Sequence, residues 1–248
     1  MIQDHVLQSL VADKEKNPTK YVVVDNFFED EIAKAIAADF PAEKHWSWTR
    51  YNNALEVKLA CNRYDIFGAV TYKAIQYLHS EEWLGILSAF DNQWLELDPG
   101  LHGGGLHMHG RGGKLNPHLD YELHPKLGLA RYMNLIVYLS DWRPEWGGHL
   151  GFWGGKNTPE KLVTEIEPKF NRAVVFKTQN AWHGLSRMVN CPEGKYRKSL
   201  AVYYLTNPEE LEHVGTRERA LFAPTEDQKN DPDVLGLIKK RAIVGEKL

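Results

Sequence analysis

Residues Asn116-Pro-His-Leu-Asp120 place an imidazole, His118, and a carboxylate, Asp120, two positions apart. In an extended strand, side chains at i and i+2 leave the same face, so both could grip one metal ion. By itself such a triplet is a short motif that arises by chance and more commonly marks a solvated turn. About sixty residues later, Trp182-His183-Gly184 follows the apolar run Ala173-Val174-Val175-Phe176 and a turn around Gln179 and Asn180. A single histidine beside a tryptophan also reads as a hydrogen-bonded core residue. The combination carries more weight than either part. His118, Asp120 and His183 form a two-histidine, one-carboxylate set that occupies one face of an octahedron and leaves the other open, which suits ferrous iron better than a closed zinc site.

Further along, Arg197-Lys198-Ser199 opens an apolar strand. Alternation sends Arg197 and Ser199 to one face and Lys198 to the other. A guanidinium can hold a carboxylate through two parallel bonds, and a neighbouring hydroxyl adds a third, an arrangement fitted to a dicarboxylic cosubstrate. An exposed basic pair on a solvated strand is the competing reading. His107 and His109 share a face and either line a pocket or sit exposed on the Gly-rich stretch 103–113. Asn134, Ile136 and Tyr138 also share a face, with Asn134 a wall residue, and Trp153 reads as wall or core. The polar group Tyr51-Asn52-Asn53 with Glu56 and Lys58 is either a substrate lid or an ordinary solvated segment. His124 is set aside as a ligand, since Pro125 opposes the helical spacing that would aim it at the metal.

The elements that must position these residues change in texture along the chain. Apolar residues Ile2, Val6, Leu7, Leu10 and Val11 predict an N-terminal helix, Tyr21 to Val24 a strand, and Glu29 to about Phe40 a helix stopped by Pro41. Residues 45–65 are irregular and aromatic, and Phe67 to Phe90 reads as one or two helices. From Asn92 onward short β-like runs alternate with Gly, Pro and Asn/Asp turns. Strands are predicted near 94–97, 105–109, 118–121, 131–139, 149–153, 161–166, 172–177, 182–185 and 196–206. That strand count suits a jelly roll or a barrel, and the expected fold class is a mainly β core, α+β overall: a double-stranded β-helix, or cupin-like jelly roll, with flanking helices at both ends. The expected organisation is one domain over 1–248, helical to about 91, jelly roll over about 92–206, and a helical extension over about 207–248 that includes Asp233 to Arg241.

The order His118-x-Asp120, His183, Arg197-x-Ser199 resembles the Fe(II)- and 2-oxoglutarate-dependent dioxygenases, in particular their prolyl-4-hydroxylase-like branch. The segment Arg131-Tyr-Met-Asn-Leu-Ile-Val-Tyr138, with Trp142 and then Gly147-Gly148-His149-Leu150, is similar to that branch's strand leading into a Gly-Gly turn. The resemblance covers about Tyr21 to Thr206. It implies that His118, Asp120 and His183 bind Fe(II), and that Arg197 and Tyr138, with Ser199, hold the far carboxylate of 2-oxoglutarate. It also implies oxidative decarboxylation to succinate and CO₂ with hydroxylation of a C–H bond by O₂, and support by ascorbate. Halogenating relatives lack the carboxylate that Asp120 supplies. The chain departs from the branch in two places: residues 188–196 lengthen the interval between His183 and Arg197, leaving Lys198 as an alternative clamp, and Gly105 to His109 carries histidines where many relatives place a tyrosine.

Composition narrows the partners. A formal net charge of -3, without a basic run, gives no electrostatic footprint for nucleic acid or an anionic membrane. Cys61 and Cys191 stand far apart, so a reducing cytoplasm is expected, and the N-terminus shows neither a basic region nor an apolar run. The substrate is expected to be a small molecule or a peptide. Oligomeric state stays open, because an exposed terminal helix could pack on another chain. The competing functions are a non-catalytic cupin-like protein that binds 2-oxoglutarate or a sugar, and a jelly-roll sugar isomerase.

Overall fold

The computed structural model describes residues 2, 5, 20–155, 157–212 and 215–242. The expected helix over the first eleven residues lies outside the described residues, save for Ile2, which bridges to Phe28, and His5. Two antiparallel sheets face one another. The larger runs in the order β1 (Tyr21–Val24), β11 (Ala173–Lys177), β8 (Ala130–Tyr138), β13 (Arg197–Thr206), β5 (Gly105–His109), β3 (Glu56–Cys61) and β2 (Thr49–Asn52). Two short strands join it, β4 (Glu96–Leu97) on β13 and β6 (Lys114–Leu115) on β3. The smaller runs β10 (Leu162–Ile166), β9 (Leu150–Trp153), β12 (Trp182–Leu185), β7 (His118–Leu119) and β14 (Leu221–Phe222). This is the jelly roll that the strand spacing predicts.

Period-two alternation divides the large sheet into two faces. Met133, Leu135 and Val137 of β8, Leu200, Val202 and Tyr204 of β13, and Val175 of β11 belong to the main core. That core also holds Ile36 of α1 (Asp30–Ala38), Ile75 of α2 (Ala69–Leu78) and Leu87 of α3 (Glu81–Asp91), so the helices cover the outer face. Helix α3 is fixed at its start by Ser80, whose hydroxyl accepts from the Trp83 amide, and at its end by Asn92 in the left-handed region. The Trp83 indole donates to the Tyr204 hydroxyl at 2.7 Å, which donates in turn to the Leu78 carbonyl at 3.2 Å. Helices and sheet are thereby locked together. The inner face of the large sheet is left free to carry polar groups toward the small sheet.

Three expectations are corrected. Residues 45–65, read as irregular, contain the hairpin β2–β3, whose register pairs Tyr51 with Lys58. The strand at 118–121 is only two residues long, although His118 and Asp120 still point the same way. The terminal helix α4 (Pro232–Ala242) is exposed on one face only: Val234, Leu237 and Ile238 pack on Leu55 and Phe222 at the sheet mouth, while Leu235 faces outward.

Candidate metal and cosubstrate site

β7 and β12 pair so that His118 lies directly opposite His183. Close approach of these strands needs Gly184, where a Cβ would meet the Asn116 carbonyl oxygen at 2.7 Å. His118 Nδ1 donates to its neighbour Asn116 O at 3.0 Å, and His183 Nδ1 donates to Ala181 O at 2.8 Å. A carbonyl can only accept, so both hydrogens sit on Nδ1 and both Nε2 lone pairs turn inward. His118 Nε2 lies 3.8 Å from Asp120 Oδ1, and His183 Nε2 lies 3.7 Å from Asp120 Oδ2. The three ligand atoms all fall within 4.8 Å of one another, and all three residues are buried. Asp120 Oδ2 has no hydrogen-bond partner in this buried place. Two inward lone pairs and an unmatched carboxylate oxygen form a donor set that a divalent cation would complete.

The protonation states suit a cation too. Burial works to raise the Asp120 pKa, but Arg131, His183 and His118 outweigh it and hold the carboxyl down at about 2. Burial, with His183 beside it, lowers His118 to about 3 against the pull of Asp120. The carboxylate is thus charged and this imidazole neutral, as metal ligation requires. Arg131 owes its position to two aromatic rings: its guanidinium carbon lies 3.5 Å from the Tyr121 ring centroid and 3.4 Å from that of Tyr203. Its Nη1 meets Asp120 Oδ1 at 3.1 Å, and its Nη2 donates to His102 O at 2.7 Å. Arg131 is thus a residue that sequence reasoning passed over; it stood within a recognised strand motif, with nothing to say that it reaches back to Asp120.

Arg197 lies on the inner face of β13, in register with His109 of β5, and Ser199 is in register with both His107 and Tyr138. Only 4% of Arg197 is exposed, and its Nε donates to the Gly148 carbonyl at 2.7 Å. Gly148 adopts a φ of +69°, and a Cβ there would meet Arg197 Cδ at 2.8 Å, so glycine is needed for the side chain to pass. Among the described residues no carboxylate pairs with Arg197. Burial lowers its pKa, opposed by Tyr138, whose ring lies 4.8 Å from the guanidinium carbon and whose buried hydroxyl has no hydrogen-bond partner.

Lys198 does not share the clamp. Its Nζ points to the opposite side of β13 and donates to Ala37 O at 2.8 Å, at the end of α1. The loop 188–196 that separates His183 from Arg197 docks on the turn after β5: Gly112 N donates to Val189 O and Val189 N to Gly113 O, each at 2.8 Å. His107 and His109 therefore belong to a strand rather than a loose loop, and both line a cavity of about 500 Å³ together with His118, Asp120, His183, Arg197, Ser199 and Asn134. Both ring nitrogens of His109 and both amide atoms of Asn134 are buried without partners. Tyr51, Glu56 and Lys58 line the same cavity, as do Phe222, Arg219 and Arg241 from the C-terminal segment. Trp153 packs with Leu119 and Trp182 instead.

Residues 104–205 match the 2OG-Fe(II) oxygenase superfamily. The matched span runs from β5 to β13, the jelly-roll core. The oxygenase fold recurs in solved structures. A prolyl hydroxylase from Trichoplax adhaerens, in complex with a hypoxia inducible factor peptide fragment, is 15% identical, with 81% of this chain and 89% of that chain covered and a TM-score of 0.55. A Pseudomonas putida prolyl-4-hydroxylase is 17% identical over 82% of this chain and 100% of that one, with a TM-score of 0.53. HygX from Streptomyces hygroscopicus, with nickel, 2-oxoglutarate and hygromycin B bound, is 14% identical over 80% and 86%, with a TM-score of 0.54. Among curated proteins none matches the chain. The oxygenase is a 2-oxoglutarate-dependent enzyme whose cofactors are Fe(II) and 2-oxoglutarate, and its His-Asp-His set fits the metal. Among the described residues no helix is long and apolar enough to cross a membrane.

Proposed function

We propose that this oxygenase hydroxylates an unactivated C–H bond of a small molecule or an amino-acid side chain, with His118, Asp120 and His183 as the metal ligands. Arg197, Tyr138 and Ser199 hold the far carboxylate of 2-oxoglutarate, and His107, His109 and Asn134 contact the substrate. One observation carries the reading: a buried arginine with no carboxylate partner among the described residues opens onto the same cavity as a two-histidine, one-carboxylate set. A lone buried guanidinium is costly, and a dianion placed there relieves it. When bound, Fe(II) with 2-oxoglutarate supplies O₂ activation coupled to formation of succinate and CO₂, one oxygen atom passing to succinate and one to the substrate.

The protein's own part is positioning and exclusion. Backbone carbonyls of Asn116 and Ala181 fix the two imidazole tautomers, and Arg131 fixes Asp120. Phe222 stacks on the His118 ring at 5.2 Å between centroids and Phe176 meets His183 at 4.9 Å, shielding the ligands from bulk water. Residues 1–248 act as one catalytic domain in this reading, since α4 returns to build part of the site wall. The test is conversion of 2-oxoglutarate to succinate by purified protein supplied with Fe(II), ascorbate and candidate substrates. Asp120→Ala should abolish it. Tight binding of 2-oxoglutarate with no O₂-dependent succinate would favour a non-catalytic binding protein, and activity that survives EDTA would favour a metal-independent isomerase.

A further inference from the structure

The cavity opposes the rest of the molecule in charge. Whereas the whole chain carries a formal net charge of -3, the lining contains five cations, Lys58, Arg131, Arg197, Arg219 and Arg241, against the two carboxylates of Glu56 and Asp120. A ferrous dication and a 2-oxoglutarate dianion cancel one another, so filling both proposed places leaves the surplus intact. Arg131 is matched by Asp120 and Arg197 by the cosubstrate's far carboxylate. Two of the remaining three, Lys58 and Arg241, meet where the hairpin β2–β3 reaches the C-terminal segment. There Lys58 Nζ and Arg241 Nη1 share a single buried carboxylate, Glu56, at 3.2 Å and 2.6 Å. Arg219, exposed, lines the same cavity with no carboxylate partner among the described residues.

This group is separate from the cosubstrate clamp. Register places Arg197 opposite His109, and Leu59 opposite Met108, so Lys58 falls next to His109 on the far side of β5. Two strand spacings, roughly 10 Å, therefore divide the backbones of Arg197 and Lys58. Between them sits His109, buried and with neither ring nitrogen hydrogen-bonded, and it can both donate and accept. A five-carbon dicarboxylate anchored at Arg197 leaves this region open.

Resting on the metal and cosubstrate roles proposed above, we infer that the primary substrate is an anionic small molecule whose carboxylate or phosphate group is held by Lys58, Arg219 and Arg241, with His109 contacting its polar body. A peptide side chain with no nearby anion would leave the surplus charge unmatched, as would a neutral sugar. The anion-holding residues come from the β2–β3 hairpin and from segments on either side of β14, so the same contacts that recognise the substrate would close the C-terminal wall.

The test uses full-length protein loaded with Mn(II), a redox-inert and paramagnetic stand-in, and saturated with 2-oxoglutarate. Inorganic phosphate and acetate serve as separate probes, read by the phosphorus relaxation of one and the methyl-proton relaxation of the other. Enhanced relaxation that persists at saturating 2-oxoglutarate is expected for at least one probe, and which probe responds tells a phosphorylated substrate from a carboxylic acid. Affinity should fall roughly tenfold in Lys58→Met, where a charged hydrogen bond is lost while Arg241 still holds Glu56, and roughly threefold in Arg219→Gln, an exposed site whose change spares the fold. The inference is overturned if 2-oxoglutarate abolishes the enhancement, if neither probe responds, or if both variants bind like the parent. Failure of the underlying metal reading shows separately, before any anion is added: water-proton relaxation would reveal Mn(II) that does not bind, or binds equally well to His118→Ala, and the inference would fall with it.

Discussion

Replacing Arg197 by methionine separates the energetics of the fold from those of the cosubstrate. In the free protein the change removes a buried guanidinium whose one carbonyl partner among the described residues is Gly148, at 2.7 Å. Losing that bond costs about 1–3 kcal/mol, while relief of an unpaired buried charge offsets a similar amount, so the free variant should unfold within about 2 kcal/mol of the parent. Binding is a different matter. Truncating one side of a buried, hydrogen-bonded charge pair costs about 2–5 kcal/mol, or roughly 30-fold or more in affinity. At a 2-oxoglutarate concentration 100 times the parent Kd, with Mn(II) present, linkage stabilises the parent by about 2.7 kcal/mol. That raises its Tm by roughly 5–11 °C at 2–4 °C per kcal/mol for a domain of this size. The same concentration is then at most about three times the variant Kd, and the stabilisation falls to about 0.8 kcal/mol or less. Thermal denaturation of both proteins, with and without 2-oxoglutarate, reads all four values. A folded Arg197→Met protein that keeps the full 2-oxoglutarate shift would refute the assignment and move the far carboxylate to another cation of the cavity, such as the half-buried Lys58.

Lys198→Ala should leave that 2-oxoglutarate shift unchanged and lower stability by about 1 kcal/mol through loss of its bond to Ala37 O, measurable by urea denaturation. Asn116→Ala removes amide bonds to Ala223 O at 3.0 Å and to Gln228 Oε1 at 2.6 Å. It should cost about 2 kcal/mol and raise the apparent Kd for Mn(II), because the same residue's carbonyl orients His118. Glu56 offers a pH test. Burial raises its pKa, but Lys58 and Arg241 outweigh burial and hold it below the ordinary 4.5. A depressed carboxylate stabilises the fold above the unfolded value and loses that contribution as pH falls through the folded one. Hydrogen-exchange protection of α4 should therefore drop as pH falls below about 4.5, and Glu56→Gln should flatten this dependence.

Most of the jelly roll could be read from the chain because its strands announce themselves locally. Arg131 to Leu139 and Arg172 to Lys177 are Val-, Ile- and aromatic-rich runs between turn residues, and they appear as β8 and β11 with shifts of a residue or so. The hairpin β2–β3 was hidden because its residues, Thr-Arg-Tyr-Asn and Glu-Val-Lys-Leu-Ala-Cys, mix charges on both faces; Glu56 and Lys58 face inward to a polar cavity, so the usual apolar alternation is absent. At the site, strand spacing made His118, Asp120, His183 and Arg197 candidates and sent Lys198 the other way, while their roles came from the family resemblance. It could not show that Arg131 folds back on Asp120 between two tyrosines, nor that Arg241 reaches Glu56 across 185 residues of sequence. Both are long-range pairings, invisible to any local pattern.

The proposed ligands are divided between the two sheets: His118 and His183 belong to the small one, Arg197 and Tyr138 to the large one. A 2-oxoglutarate molecule chelating the metal at one end and meeting Arg197 at the other would span the interior and tie the halves of the sandwich together. The small sheet has the most to gain, since its strands are only two to five residues long. Occupancy of the site would then be felt as rigidity: amides of β7, β9 and β12 should exchange more slowly in the loaded enzyme, while those of β8 and β13, already backed by the helices, should change little.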